Sequence, residues 1–253
     1  MSLLSVNNVG VRFGGVVALD ELTFDVEPGT ICALIGPNGA GKTTLFNVLS
    51  RLYQPSHGTV RFDGRDLLSV PAHKIAGRGL ARTFQNVALF PALTVLENVM
   101  TGAHDVGKVG FGRSMLRLGA AREERALRQH CLDLLARLDL ADLAHRPVAG
   151  LPFGTLKRIE FARALAAEPR LLMLDEPANG LTHSEVDELG ATIRSIRDQF
   201  DLTILLVEHH MAMVMAISDH IVVLDFGRKI AEGPPAAVRN DPLVIEAYLG
   251  APA

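Results

Sequence analysis

The segment Gly36-Pro37-Asn38-Gly39-Ala40-Gly41-Lys42-Thr43 constrains this chain more than any other. It has the form G-x-x-x-x-G-K-[ST], a loop that cradles phosphate. The apolar run Ile31–Ile35 before it reads as a strand, and residues 44–50 after it read as a helix, which is the context the pattern requires. Glycines let the backbone wrap a phosphate with successive N–H groups pointing inward. The helix that follows, beginning near Thr44, adds the positive end of its dipole. In such a loop Lys42 reaches the β- and γ-phosphates and the Thr43 hydroxyl ligates Mg²⁺. The loop therefore calls for the phosphates of a nucleotide together with Mg²⁺.

With 253 residues, 48% of them hydrophobic, the chain can bury a full-sized core. Its longest apolar runs, such as 202–207 and 221–224, fall far short of a membrane span. The first residues lack the basic-then-apolar layout of a signal peptide, so a cytosolic protein is expected. A net charge of -3 argues against broad nucleic-acid binding. Cys32 lies in the strand entering the loop and Cys131 in an amphipathic helical stretch. Both read as small core residues rather than as a redox pair or metal ligands, and no C-x-x-C or H-x-x-x-H pattern supports a zinc site.

Residues 3–26 alternate apolar and polar side chains around Gly14-Gly15 and read as antiparallel strands, with another short strand at 59–62. Residues 92–150 differ in texture. Glycines interrupt 105–119, and then Ala126, Leu127, Cys131, Leu134, Leu135 and Leu138 recur at helical spacing. This reads as a helical insert. Lys108, Arg113, Arg117, Arg122, Arg125 and Arg128 make it basic, which fits either a solvated helix face or contact with lipid headgroups or an acidic partner. An α/β texture then returns. Helices are expected at 155–167 and 184–199, strands at 171–174 and 203–207, and a hairpin at 221–231 around Asp225-Phe226-Gly227. Short wholly apolar strands between helices point to a parallel sheet covered on both faces.

Leu171-Leu172-Met173-Leu174-Asp175-Glu176 supplies what the phosphate loop lacks, a carboxylate at the end of a neighbouring strand to hold Mg²⁺. Asp175 fits that role. Adjacent residues at a strand end point differently, so Glu176 can face an attacking water as general base. The plainer reading is that the pair caps the next helix.

Taken together, these residues resemble the nucleotide-binding subunits of ATP-binding cassette (ABC) transporters over essentially the whole chain. The resemblance implies that Phe13 stacks on adenine. It places Gln85, in Arg82-Thr83-Phe84-Gln85-Asn86, as a catalytic-site glutamine that touches Mg²⁺ and relays to a membrane partner. Leu151-Pro152-Phe153-Gly154-Thr155 stands where the signature sequence belongs, so Gly154 and Thr155 are expected on the γ-phosphate held by an opposite subunit. Asn179-Gly180-Leu181-Thr182 stands in the D-loop, and His209 matches the switch histidine. The site implied comprises Lys42, Gln85, Glu176 and His209 for catalysis, with Thr43, Gln85 and Asp175 on the metal. Nucleotide contacts would come from Phe13, residues 36–44, Gly154 and Thr155. The fold implied is a P-loop α/β cassette over 1–253. Its core (1–90 and 151–253) carries an N-terminal antiparallel β-subdomain, and a helical subdomain occupies 91–150 with the signature at its end.

Within the family, residues 79–100, the start Arg12-Phe13-Gly14-Gly15, Val207-Glu208-His209 and the tail Ala247-Tyr248-Leu249-Gly250 resemble the ATPases of branched-chain amino-acid importers. This implies ATP hydrolysis energising solute import from the cytoplasmic face of the cell membrane. The implied partners are integral-membrane permease subunits, a second identical or different ATPase subunit and, indirectly, an extracytoplasmic solute-binding protein, with no nucleic acid. Urea, an aromatic acid and lipopolysaccharide export are alternative transport roles, and a soluble non-transport ABC ATPase is a further one. The signature departs from the common L-S-G-G-Q, with Pro152 for Ser and Thr155 for Gln. Proline removes both a hydroxyl and a backbone N–H. His210 replaces an acidic residue often found after the switch histidine, and its plain reading is solvent-facing.

Overall fold

The computed structural model describes residues 1–83, 88–103 and 120–249. They divide into two compact units, Met1–Ile75 with Arg170–Ala253, and Ala76–Pro169.

The first unit opens with β1 (Leu4–Phe13) and β2 (Val16–Val26), joined at Gly14-Gly15. Then come β3 (Ile31–Ile35), α1 (Lys42–Leu49), β4 (His57–Phe62) and β5 (Arg65–Asp66). β1 pairs antiparallel with both β2 and β4, giving an antiparallel sheet in the order β2-β1-β4-β5. On β1, Leu4 and Val6 are buried and then Val9 and Val11, the phase moving by one residue at a register shift between Val6 and Val9.

The second unit contains β6 (Leu80–Arg82), α2 (Val95–Gly102), α3 (Ala120–Arg137) and α4 (Phe153–Leu165). A reciprocal capping box starts α2: Glu97 N–H donates to Thr94 Oγ1, and Thr94 N–H donates to the Glu97 carboxylate. One turn on, the buried Asn98 side chain accepts from Phe90 N–H and donates to the carbonyls of Phe90 and Thr94, which ties down the preceding loop. On α3, Cys131, Leu134 and Leu135 are buried as their spacing predicts, and Leu138 is buried just past the helix end. Ala126 is exposed and Leu127 only half-buried, so the apolar stripe begins a turn later than its periodicity suggested. Arg122, Arg125 and Arg128 lie on the exposed side. Lys108, Arg113 and Arg117 lie outside the described residues. α4 begins at Phe153 rather than 155, because Pro152 takes the N-cap position with φ -56° and hands the chain directly into the helix. Burial pushes the Cys32 thiol up to about 12 and the Cys131 thiol up to about 11, so both stay protonated as inert core residues.

The chain returns to the first unit as β7 (Leu171–Asp175), α5 (His183–Phe200), β8 (Thr203–Val207), α6 (Met211–Ile217), β9 (His220–Asp225), β10 (Arg228–Gly233), α7 (Pro235–Val238) and α8 (Pro242–Leu249). Here the strands run in the order β10-β9-β3-β8-β7. β9, β3, β8 and β7 are mutually parallel, and β10 is the antiparallel arm of the hairpin. Every residue of β3, β7 and β8 is buried, which explains why these strands are apolar except for Asp175 at the end of β7 and Thr203 at the start of β8. α6, α7 and α8 have no counterpart in the sequence reading, since short apolar runs cannot be assigned by periodicity.

Candidate functional site

Register places the chemistry. Leu34 of β3 and Asp175 of β7 both pair with Val207 of β8, so the carboxyl ends of three adjacent parallel strands finish level. Ligands of open α/β sheets bind beyond such ends. The phosphate loop leaves β3, Asp175-Glu176 ends β7, and Glu208-His209 follows β8. One edge of the sheet thus collects these candidate groups.

Gly36, Gly39 and Gly41 of the loop all have positive φ, and at two of them a side chain would also collide. Gly36 has φ 151°, and a Cβ there would sit 2.1 Å from the Leu224 carbonyl oxygen. Gly41 has φ 100°, and a Cβ there would sit 2.5 Å from that of Ala18. A side chain fits neither the conformation nor the space. The hairpin turn supports the loop from outside, with Gly227 N–H donating to Ala40 O. Lys42 is buried, and its ammonium donates to the carbonyls of Gly36 (2.6 Å) and Pro37 (2.9 Å). Burial lowers its pKa, while the Glu176 and Asp175 carboxylates work against that shift. The loop and the end of β7 are therefore in electrostatic contact. Thr43 is exposed in the first turn of α1, and Asp175 is 8% exposed. A hydroxyl and a carboxylate are hard oxygen donors, a set that suits Mg²⁺.

Glu176 adopts a left-handed backbone with φ 47°, a conformation uncommon for a side-chain-bearing residue and frequent at functional turns. Its N–H donates to Val207 O (2.8 Å), and its carbonyl accepts from Asn179 N–H (3.1 Å). The turn into the 179–182 segment is thereby fixed at both ends. Thr182 then closes the segment, its N–H and hydroxyl both donating to the Glu185 carboxylate. His209 is 56% exposed at its side chain, and its ring lies 4.6 Å from that of His210. His210 is half-buried, as the N-cap of α6, rather than solvent-facing.

Glu208 is the residue that sequence reasoning missed. It served there only as part of a branch resemblance, yet it is 1% exposed. One carboxylate oxygen accepts Ala178 N–H (2.9 Å), and the other accepts the N–H groups of His209 (2.6 Å) and His210 (3.0 Å). It bolts the turn after Glu176 to the segment carrying His209. The available signal was a lone acidic residue directly after a fully apolar strand, where an unpartnered charge is too costly to bury. Glu208→Ala is expected to cost about 2–4 kcal/mol, as three backbone N–H groups lose their acceptor. Urea denaturation checks this, and a loss below about 0.5 kcal/mol contradicts it.

Phe13 ends β1 as a residue 47% exposed, its ring packed edge-on against Tyr53 at 5.1 Å between centroids. Tyr53 was not singled out from sequence. In the second unit, Gly154 and Thr155 lie in the first turn of α4, where backbone N–H groups have no partner within the helix. Behind them, Lys157 and Glu160 form a buried ion pair at 3.4 Å. Gln85 lies outside the described residues.

The family described as "ABC transporter" matches residues 19–179, and that described as "Branched-chain amino acid ATP-binding cassette transporter" matches residues 228–253. The high-affinity branched-chain amino acid transport ATP-binding protein BraF of Pseudomonas aeruginosa is 43% identical over 98% of both chains. Its counterpart LivG of Escherichia coli strain K12 is 42% identical, again over 98% of both. A solved ATP-binding cassette of an ABC transporter in its ADP conformation superposes with a TM-score of 0.86 at 29% identity, covering 99% of each chain. A nucleotide-free cassette superposes at 0.84, also with 29% identity, covering 98% of this chain and 99% of its own. The phosphate loop, the acidic end of β7 and the histidine after β8 are thus set in a fold and sequence of one kind, and the chain belongs to the ABC transporter family of ATP-binding cassettes.

Proposed function

We propose that this chain binds and hydrolyses ATP to drive import of branched-chain or related amino acids through separate membrane permease subunits. The observation that carries the proposal is the level finish of β3, β7 and β8, which brings Lys42, Asp175, Glu176 and His209 to one edge. The solute class is supported by the tail family over residues 228–253 and by relatives named for that transport. The cassette alone does not fix the solute. A protein named sulfate/thiosulfate import ATP-binding protein CysA, from Burkholderia mallei, is 36% identical over 98% of this chain.

The chemistry proposed is positioning plus electrostatics. The backbone N–H groups of residues 36–44 cradle the β- and γ-phosphates, and Lys42 offsets their charge. Thr43 and Asp175 would hold Mg²⁺, which supplies charge neutralisation at the phosphate oxygens when bound. Glu176 orients water and accepts its proton, and His209, held through Glu208, steadies the γ-phosphate. Phe13 offers a ring for adenine. Gln85 is proposed on the metal and as a relay to the permease. Gly154 and Thr155 would present N–H and hydroxyl groups to the nucleotide of a second ATPase subunit, with Pro152 supplying neither. On this reading residues 1–253 work as one cassette.

No helix among the described residues is long and apolar enough to cross a membrane. The relatives' names as transport ATP-binding proteins support placing the chain peripherally, on the cytoplasmic face, held there by its permease. Gentle solubilisation of native membranes and capture of this chain tests the assignment. Two hydrophobic permease subunits and a second ATPase are expected to co-purify. Recovery only from the soluble fraction, bound to ribosomes or nucleic acid, contradicts it.

A further inference from the structure

Phe13 stands at the tip of a hairpin. It is the last residue of β1, paired with Val16 across Gly14-Gly15, and it is 47% exposed. A half-exposed ring at such a rim turns about its side-chain bonds unless a neighbour holds it. Tyr53 is that neighbour. Its ring meets that of Phe13 at 71° with 5.1 Å between centroids, an edge-to-face arrangement of the kind aromatic pairs prefer. Tyr53 is itself 39% exposed, so the two rings pair at the surface rather than in the core.

The segment that carries Tyr53 is fixed at both ends. α1 starts at Lys42 of the phosphate loop and ends in a turn closed by Arg51, whose φ is 60°. Beyond it the N–H groups of Leu52 and Tyr53 both donate to Asn47 O, at 2.8 and 3.1 Å. Further along, Ser56 N–H donates to Gly10 O (2.7 Å), and the Ser56 hydroxyl accepts Arg12 N–H (3.3 Å). Gly10 and Arg12 belong to β1, just before Phe13. The backbone under Tyr53 therefore runs from the helix of the phosphate loop to the strand that ends at Phe13.

We propose that Tyr53 is a positioning residue for base binding, its ring propping Phe13 in one orientation and so presenting that ring to adenine. An edge-to-face contact restrains Phe13 without covering it, as its exposure records. A ring that is already held loses less freedom when a base stacks on it, so the contact acts on affinity. The effect is confined to ligands that carry a base, because Tyr53 supplies nothing to the phosphates. The inference rests on the proposed reading of Phe13 as the ring for adenine.

The test compares two ligands on the full chain: MgATP, and inorganic tripolyphosphate with Mg²⁺, which has the phosphates and no base. Tyr53→Leu removes the aromatic ring from an exposed site and keeps apolar bulk. It is expected to raise the Kd for ATP about 3- to 10-fold, the size of one aromatic pair, and to leave that for tripolyphosphate within about twofold. Tyr53→Phe keeps the ring and is expected to hold ATP affinity within about twofold of wild type. Equal losses for both ligands mark a general effect on the fold and overturn the role of Tyr53. Unchanged ATP affinity in Tyr53→Leu, or a loss that Tyr53→Phe shares, overturns it as well. Phe13→Ala separates this role from the parent reading. If Phe13→Ala leaves ATP affinity unchanged, Phe13 is not the ring for adenine and both assignments fall. If Phe13→Ala weakens ATP binding alone while Tyr53→Leu weakens neither ligand, only the role of Tyr53 falls.

Discussion

Glu176→Gln is expected to bind ATP as tightly as the wild type while losing about 10²- to 10⁴-fold in turnover, the usual contribution of a positioned general base. The substitution preserves the size of the side chain and the backbone on which it stands. That backbone is over-determined: φ is 47°, the N–H is held by Val207 O, and the carbonyl is held by Asn179 N–H. None of these bonds uses the carboxylate, so the turn is expected to survive. What disappears is the negative charge that sits close enough to Lys42 to oppose the fall in its pKa. On the proposed reading, binding depends on the loop, the ammonium and the metal donors, which remain. Equilibrium binding and single-turnover hydrolysis, measured on the complex with its partners, separate the two effects. Turnover within about threefold of wild type contradicts the role of Glu176 as base.

Lys42→Ala is expected to weaken ATP binding by at least about 100-fold. The ammonium is buried within the loop and bonded to two of its carbonyls, Gly36 and Pro37. Charge-assisted hydrogen bonds contribute about 1.5–3 kcal/mol each, and the loss of two phosphate contacts converts to roughly two to four decades of affinity. Truncation also leaves those carbonyls without their donor and removes a cation that interacts with the Glu176 and Asp175 carboxylates. Calorimetric titration with MgATP measures the loss, and undiminished affinity contradicts the assignment.

The parts of this site that sequence reveals are those where chemistry leaves few choices of residue. A phosphate loop needs glycine where φ is positive and a carbonyl crowds the Cα, so Gly36 and Gly41 announce the turn. Strands buried on both faces must be apolar along most of their length, so β3, β7 and β8 stand out and their ends locate Asp175, Glu176 and His209. Long-range pairing is where legibility ends. Glu208 looks like any surface glutamate until three N–H groups from two segments converge on it. Met211–Ile217 and Pro242–Leu249 are too short and too uniformly apolar for a helical period to emerge. The early start of α4 hides in Pro152, which reads as a helix breaker though it is well suited to lead a helix in. Ala126 illustrates the opposite error, a small apolar residue in phase with the stripe that nonetheless faces solvent.

The central claim joins these residues to transport, and coupled uptake tests it most directly. The complex captured from native membranes is reconstituted into vesicles with its solute-binding protein, ATP is supplied on the side of this chain, and labelled leucine, isoleucine or valine is followed. The account predicts ATP-dependent accumulation together with solute-stimulated hydrolysis, both lost when Glu176→Gln replaces the wild type. Hydrolysis that neither responds to any branched-chain amino acid nor drives its accumulation would contradict it.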